Sequence, residues 1–147
     1  MDIKSALYTY LQTKTLITAL IGDRLYVENA PQGVAHPYVT YEVTDSVPTA
    51  HLGGASAYAD DQFSFSIHAD MPEDRDAVKE ALRNILHTRR NVQLTDAGSV
   101  TINIRSITLT HVKDSHQQPV DGSETNGLYE CEMDFTIIYY ETVPTLP

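Results

Sequence analysis

The chain has 147 residues, enough for one domain with a real core and no covalent staples. Twenty acidic residues against ten basic ones give a formal charge of −10, which argues against a surface that neutralises nucleic-acid phosphate. A single cysteine, Cys131, excludes an intrachain disulfide and a cysteine zinc cluster, and makes a reducing compartment the simpler assumption.

The N-terminal stretch MDIKSALYTY lacks the apolar core of a secretory signal, and no window approaches the ~18 apolar residues of a membrane helix. Residues 2–21 read as one amphipathic helix, with Ile3, Leu7, Tyr10, Leu11, Ile17 and Ile21 near one face. Thr13, Thr15 and Thr18 lower its intrinsic propensity, so it must lean on packing. Gly22 follows the last apolar residue and is placed to take the left-handed conformation that closes a helix. Leu25 and Val27 alternate with Tyr26 and Glu28 in a short extended piece, and Pro31 and Gly33 then turn the chain. Pro37 forces His36 to be extended and launches a strand over 38–44.

Residues 45–60, with Pro48, Gly53, Gly54 and several alanines, have poor periodicity and read as a long loop. Residues 61–69 alternate cleanly, with Phe63, Phe65, Ile67 and Ala69 facing in. Asp70 and Glu73 form an acidic capping pattern with Pro72 close by, and a helix runs from there to about residue 89. Its acidic start and its end at Arg89 and Arg90 suit the helix dipole. Residues 91–99 read as a turn. Along 100–110, Val100, Ile102 and Ile104 share one parity while Ile107 and Leu109 have the other, which predicts a bulge near Arg105–Ser106. Residues 112–127 read as a second long loop. Residues 128–140 form the last strand, and the tail 141–147 is expected to be extended and mobile in the free monomer. The order predicts a single α+β domain: an antiparallel or mixed sheet with two amphipathic helices packed on one face.

The residues offer little for bond-making chemistry. No two of the six histidines stand at i, i+4; His111 and His116 flank Asp114, and surface polar residues are the default reading over a metal site. No GxSxG elbow is present, and Gly53–Gly54 lacks the GK[ST] of a phosphate loop. Cys131 falls on the apolar face of a strand, where a buried inert thiol outweighs a nucleophile. The tyrosines lack the basic neighbours of a base-stacking platform and read as core or interface packing. Glu130, Glu132 and Asp134 point one way from the last strand, about 7 Å apart, too far for one dyad. The row reads as a solvated face or as one turned to a neighbouring subunit or a channel. No cofactor is expected.

The order of an N-terminal amphipathic helix, LIGDRLY (20–26), AP-x-G (30–33), HPYVTYE (36–42), DQFSFSIHA (61–69) and a second amphipathic helix resembles the tail-completion family of long-tailed bacteriophages, also called tail-terminator or tail-to-head joining proteins. The resemblance is carried by residues 5–90; the C-terminal half matches only in pattern. It implies a structural virion protein without enzymatic activity, assembled in the bacterial host cytoplasm, that closes the tail tube as a ring commonly of six subunits. The implied partners are further copies, the tail tube protein and the head connector or neck protein, with no specific nucleic acid and no membrane. Gly22, Asp23 and Arg24 correspond to a helix-exit motif, Pro31 and Gly33 to the turn, and Pro37 and Tyr38 to strand entry, all read as fold-determining.

Two long loops make sense if they order against neighbours. The expected interface residues are His51, Leu52, Gly53, Gly54 and Tyr58 in the first, and His116, Pro119 and Val120 in the second. Glu130, Glu132 and Asp134 are the candidate lining of a lumen that repels DNA. The competing readings are a head-completion or neck protein and, in other classes, a small cytosolic metal-binding or enzymatic domain or a regulatory binding module.

Overall fold

The computed structural model describes residues 3–51, 54–87, 89–95, 101–117 and 128–140. Among them, three helices accompany a six-stranded mixed sheet, in keeping with the α+β expectation.

The expected N-terminal helix is two. α1 spans Ile3–Gln12 and α2 spans Thr15–Ile21. The apolar spacing continues across the break, but the backbone does not. The N–H groups of Thr13 and Lys14 close i→i+3 bonds to Tyr10 and Leu11, and the Thr13 hydroxyl also donates to the Tyr10 carbonyl at 2.6 Å. Lys14 is extended and starts the next helix. Threonine's competing hydroxyl is a physical cause of the break.

β1 (Leu25–Val27) pairs in parallel with β2 (Tyr38–His51), and β2 pairs antiparallel with β3 (Gly54–Ala69). The loop expected over 45–60 is therefore mostly a hairpin, paired up to His51 and Gly54. Register shifts between Val43 and Asp45 and between Pro48 and Ala50 scramble the alternation, which is why the sequence hides the strands. Leu52 and Gly53 lie outside the described residues.

α3 (Pro72–Leu86) starts with Pro72 and an acidic first turn of Glu73 and Asp74. Its N-cap is Met71, which makes no side-chain cap bond, so the expected capping role of Asp70 is not realised. Asp70 lies 3.3 Å from His36 instead. The helix stops at Leu86, short of the expected end, yet Arg89 still serves that end. Its guanidinium donates to the carbonyls of Ile85 (2.8 Å) and Asn84 (3.1 Å). Arg89 itself opens β4 (Arg89–Thr95), a strand where a turn was expected. Asn91, at φ 53, interrupts its alternation.

β5 (Thr101–Gln117) pairs antiparallel with β4 and with β6 (Leu128–Tyr140). The expected bulge is present, as a register shift between Ile104 and Ser106, and it lets Ile104 and Ile107 both be buried. A second shift lies between Leu109 and His111. The strand runs into the loop expected over 112–127, of which residues 118–127 lie outside the described ones; so does the tail 141–147.

The sheet order is β1-β2-β3-β6-β5-β4. One apolar core unites Leu7, Leu11, Ile17 and Leu82 from the helices with Phe63, Phe65 and Phe135 from the central strands. α1 packs on the edge strand β4. At the other edge, the Tyr41 hydroxyl donates to the Lys4 carbonyl, and Lys4 Nζ lies 3.6 Å from Glu28. One helix touching both edges requires the sheet to curl around it. The two hairpins leave the curled sheet at opposite ends, because β3 and β6 are antiparallel: Tyr58 meets Tyr140 at one end and Ala69 meets Tyr129 at the other.

Candidate functional site

The expected fold motif is joined by one side chain. Arg24 Nε donates to the Pro37 carbonyl at 2.9 Å and Nη2 to the Leu20 carbonyl at 3.3 Å, while the Val39 N–H donates to the Arg24 carbonyl at 3.0 Å. Helix exit and strand entry are thus one unit. Gly22 has φ 59 and ψ −126, a region open to glycine, rather than the left-handed helical basin expected; its N–H donates to Thr18 O at 2.8 Å. The Asp23 side is exposed, and its carbonyl accepts from Leu25 N–H. Pro31 and Gly33 (φ 78) sit in the exposed turn and do not join this contact. The His36–Pro37 peptide is cis.

The outward sheet face is polar from strand to strand. Register places His68, Glu130 and Ser115 in one row, Ser66, Glu132 and Lys113 in the next, and Ser64, Asp134 and His111 in a third. The expected acidic residues therefore share the outward face, with Glu132 the most exposed of the three. They are not free of partners: His68 Nδ1 lies 3.7 Å from Glu130, and the Ser64 hydroxyl donates to Glu132 Oε1 at 3.4 Å. A hollow of about 300 Å³ opens beside them, lined by Tyr38, Thr40, Glu42, Ser64, Ser66 and His68.

Two of its lining residues, Tyr38 and His68, stack at 4.5 Å, and His36 tilts against Tyr38 at 5.2 Å. Burial lowers the His68 pKa; Glu130 opposes this and His36 adds to it. Burial raises the Tyr38 pKa, helped by the Glu130 charge.

His51 and Gly54 face each other near the tip of the β2–β3 hairpin, and Tyr58 pairs with Tyr140 in the backbone register. His116 points to the inner face and stacks on Tyr129 at 4.6 Å, whereas His111 lies opposite Asp134 in the outward register. The two histidines do not converge. Pro119 and Val120 lie outside the described residues. Among the described residues, no group of three or more His, Cys, Asp or Glu is placed to hold a metal, and no helix is long and apolar enough to cross a membrane.

Two clusters escaped the sequence reading. Arg75 of α3 lies over the Tyr129 ring at 5.8 Å, and Lys79 Nζ donates to Asp114 Oδ2 at 3.1 Å, fastening the β5–β6 hairpin to the helix. Asp114 also adjoins Cys131, whose buried thiol is pushed up to about 12, first by burial and then by that carboxylate. The second cluster is Asp61, which is buried and accepts hydrogen bonds from the Tyr139 hydroxyl at 2.9 Å and from Ser46. Its signal was present: Asp61 has the parity of Phe63 and Phe65.

The sequence profile of the family described as tail completion protein gp17 matches residues 5–140. The chain belongs to that family. As a tail-completion protein it has a structural role in the tail. A solved structure of the virion of a native gene transfer agent particle contains a chain of similar fold, at TM-score 0.69 and 18% identity, with 94% of each chain covered. No curated protein matches this tail-completion protein.

Proposed function

We propose that copies of this chain form a ring, of six subunits, that closes the head-proximal end of the tail tube and joins it to the head connector, without enzymatic activity. The observation that carries this reading is the pair of hairpins leaving opposite ends of one curled sheet. A subunit with an arm at each end is suited to reach one partner on either side: the tube protein and the connector. The α3 clamp on β5–β6, through Lys79–Asp114 and Arg75–Tyr129, fixes the direction of one arm.

The similar fold within a gene transfer agent virion supports a place in the particle. Assembly in the cytoplasm of the bacterial host is part of the proposal. His51, Leu52, Gly53, Gly54, Tyr58, His116, Pro119 and Val120 are the proposed contacts with neighbours. The outward row of Glu130, Glu132 and Asp134 is proposed to face the lumen, where negative charge keeps the genome from adhering.

Light scattering on the purified chain at several concentrations, followed by negative-stain imaging, tests the ring. The expected result is a discrete multiple of the 16.4 kDa protomer with a central hole. A monomer at every concentration contradicts it.

A further inference from the structure

Between α1 and the edge strand β1 lies a groove of about 320 Å³, lined by Ser5, Tyr8 and Thr9 of the helix and Leu25, Tyr26 and Val27 of the strand. Val27 is 37% exposed there. Two hydrogen bonds, Val39 N–H to Arg24 O and Glu28 N–H to Tyr41 O, fix which backbone groups of β1 face β2. In a parallel pair these groups alternate, so Tyr26 directs both of its own to β2, while the Leu25 carbonyl and the Val27 amide point off the sheet. The groove thus joins an apolar, tyrosine-bearing wall to an open strand edge, which suits an extended segment.

The chain carries a segment of that chemistry. Residues 141–147 read ETVPTLP. Pro144 and Pro147 stand three apart, the repeat of a polyproline II helix, which presents both rings on one side. Aromatic-lined grooves take such segments at low ordering cost. Val143 and Leu146 add apolar surface.

The register rules out the segment's own groove. Tyr140 pairs with Tyr58, whereas β1 lies beside Val39–Tyr41, whose β3 partners are Phe65–Ile67. Passing down β3 from one level to the other covers about 26 Å, and crossing three strand spacings covers about 14 Å more. Pro144, four residues beyond Tyr140, reaches at most about 14 Å. The segment from a second copy has no such restriction.

We propose that Pro144–Pro147 of one copy docks in the α1–β1 groove of the next. Donor and acceptor lie on different surfaces, so the contact is head-to-tail, the kind that closes rings. This rests on the proposed homo-oligomer and names one of its contacts.

A full-length chain carrying Val27→Cys together with Leu146→Cys tests it under mild oxidation. The expected result is a ladder of covalent multiples on a non-reducing gel, with neither single substitution giving anything above a dimer. Cys131 is buried and does not compete. Light scattering on the unsubstituted chain separates the failures. A disulfide formed only within one copy, or none at all in a chain that does associate, overturns the docking and leaves the oligomer standing. A chain that is monomeric at every concentration overturns both.

Discussion

Arg24 Nε donates to the carbonyl of Pro37 at 2.9 Å, across thirteen residues of sequence. The same guanidinium holds the Leu20 carbonyl at the end of α2. One forked cation therefore satisfies a helix terminus and fixes where β2 begins, and β2 carries Tyr38, Thr40 and Glu42 onto the outward face. The two most recognisable pieces of the sequence are two halves of this single contact.

Replacing Arg24 with Met removes both hydrogen bonds and keeps most of the aliphatic stem. The expected loss is about 1–3 kcal/mol, with Arg24→Lys recovering less than half because an ammonium cannot reproduce the fork. Urea denaturation followed by circular dichroism checks it; an unchanged midpoint for Arg24→Met contradicts it.

The buried Asp61 depends on Tyr139 and Ser46. Tyr139→Phe leaves one carboxylate oxygen without its donor in the core. We expect a destabilisation of about 1–3 kcal/mol, larger than the same change at the more exposed Tyr8. Thermal melts of the two variants side by side give the comparison.

Much of the architecture was legible because its alternation is unbroken. β6 runs thirteen residues with Cys131, Met133, Phe135, Ile137 and Tyr139 buried on one parity, and α3 keeps helical spacing from Val78 to Leu86. The bulge in β5 was legible for the complementary reason: Ile104 and Ile107 cannot both be buried without one. The β2–β3 hairpin was not, since two register shifts and a run of small residues erase the period that marks a strand. β4 was hidden by the positive φ at Asn91. The break between α1 and α2 was hidden by apolar residues that keep helical phase across it. On the outward face, the acidic row followed from parity alone, but its pairing with His68 and Ser64 depends on strand order, which no local pattern encodes.

The pKa of His68 is lowered in the folded chain because burial, the largest influence, and the nearby His36 together disfavour the charged ring more than Glu130 favours it. Tyr38 stacks on the ring, and Ser115 lies across Glu130 in the register. The unfolded chain, with an ordinary value near 6.5, therefore takes the proton first. This contribution to stability is whole above about pH 6.5 and is lost as the pH falls below it toward the folded-state value. Melting temperatures across that range are expected to fall more steeply for the native chain than for His68→Gln; parallel curves contradict the assignment.

The acidic row has a separable prediction. Glu132 is the most exposed member, so Glu132→Lys is expected to change stability by no more than about 0.5 kcal/mol. If the row faces a DNA-filled lumen, the triple reversal of Glu130, Glu132 and Asp134 to Lys slows genome release while particles still assemble. Release rates from purified particles decide it, and an unchanged rate removes the lumen assignment without touching the fold.

The most direct measurement of the central claim is electron microscopy of tails with this chain marked by antibody. Label is expected at one end of the tube, the end that meets the head. Label spread along the tube, or confined to heads without tails, contradicts it.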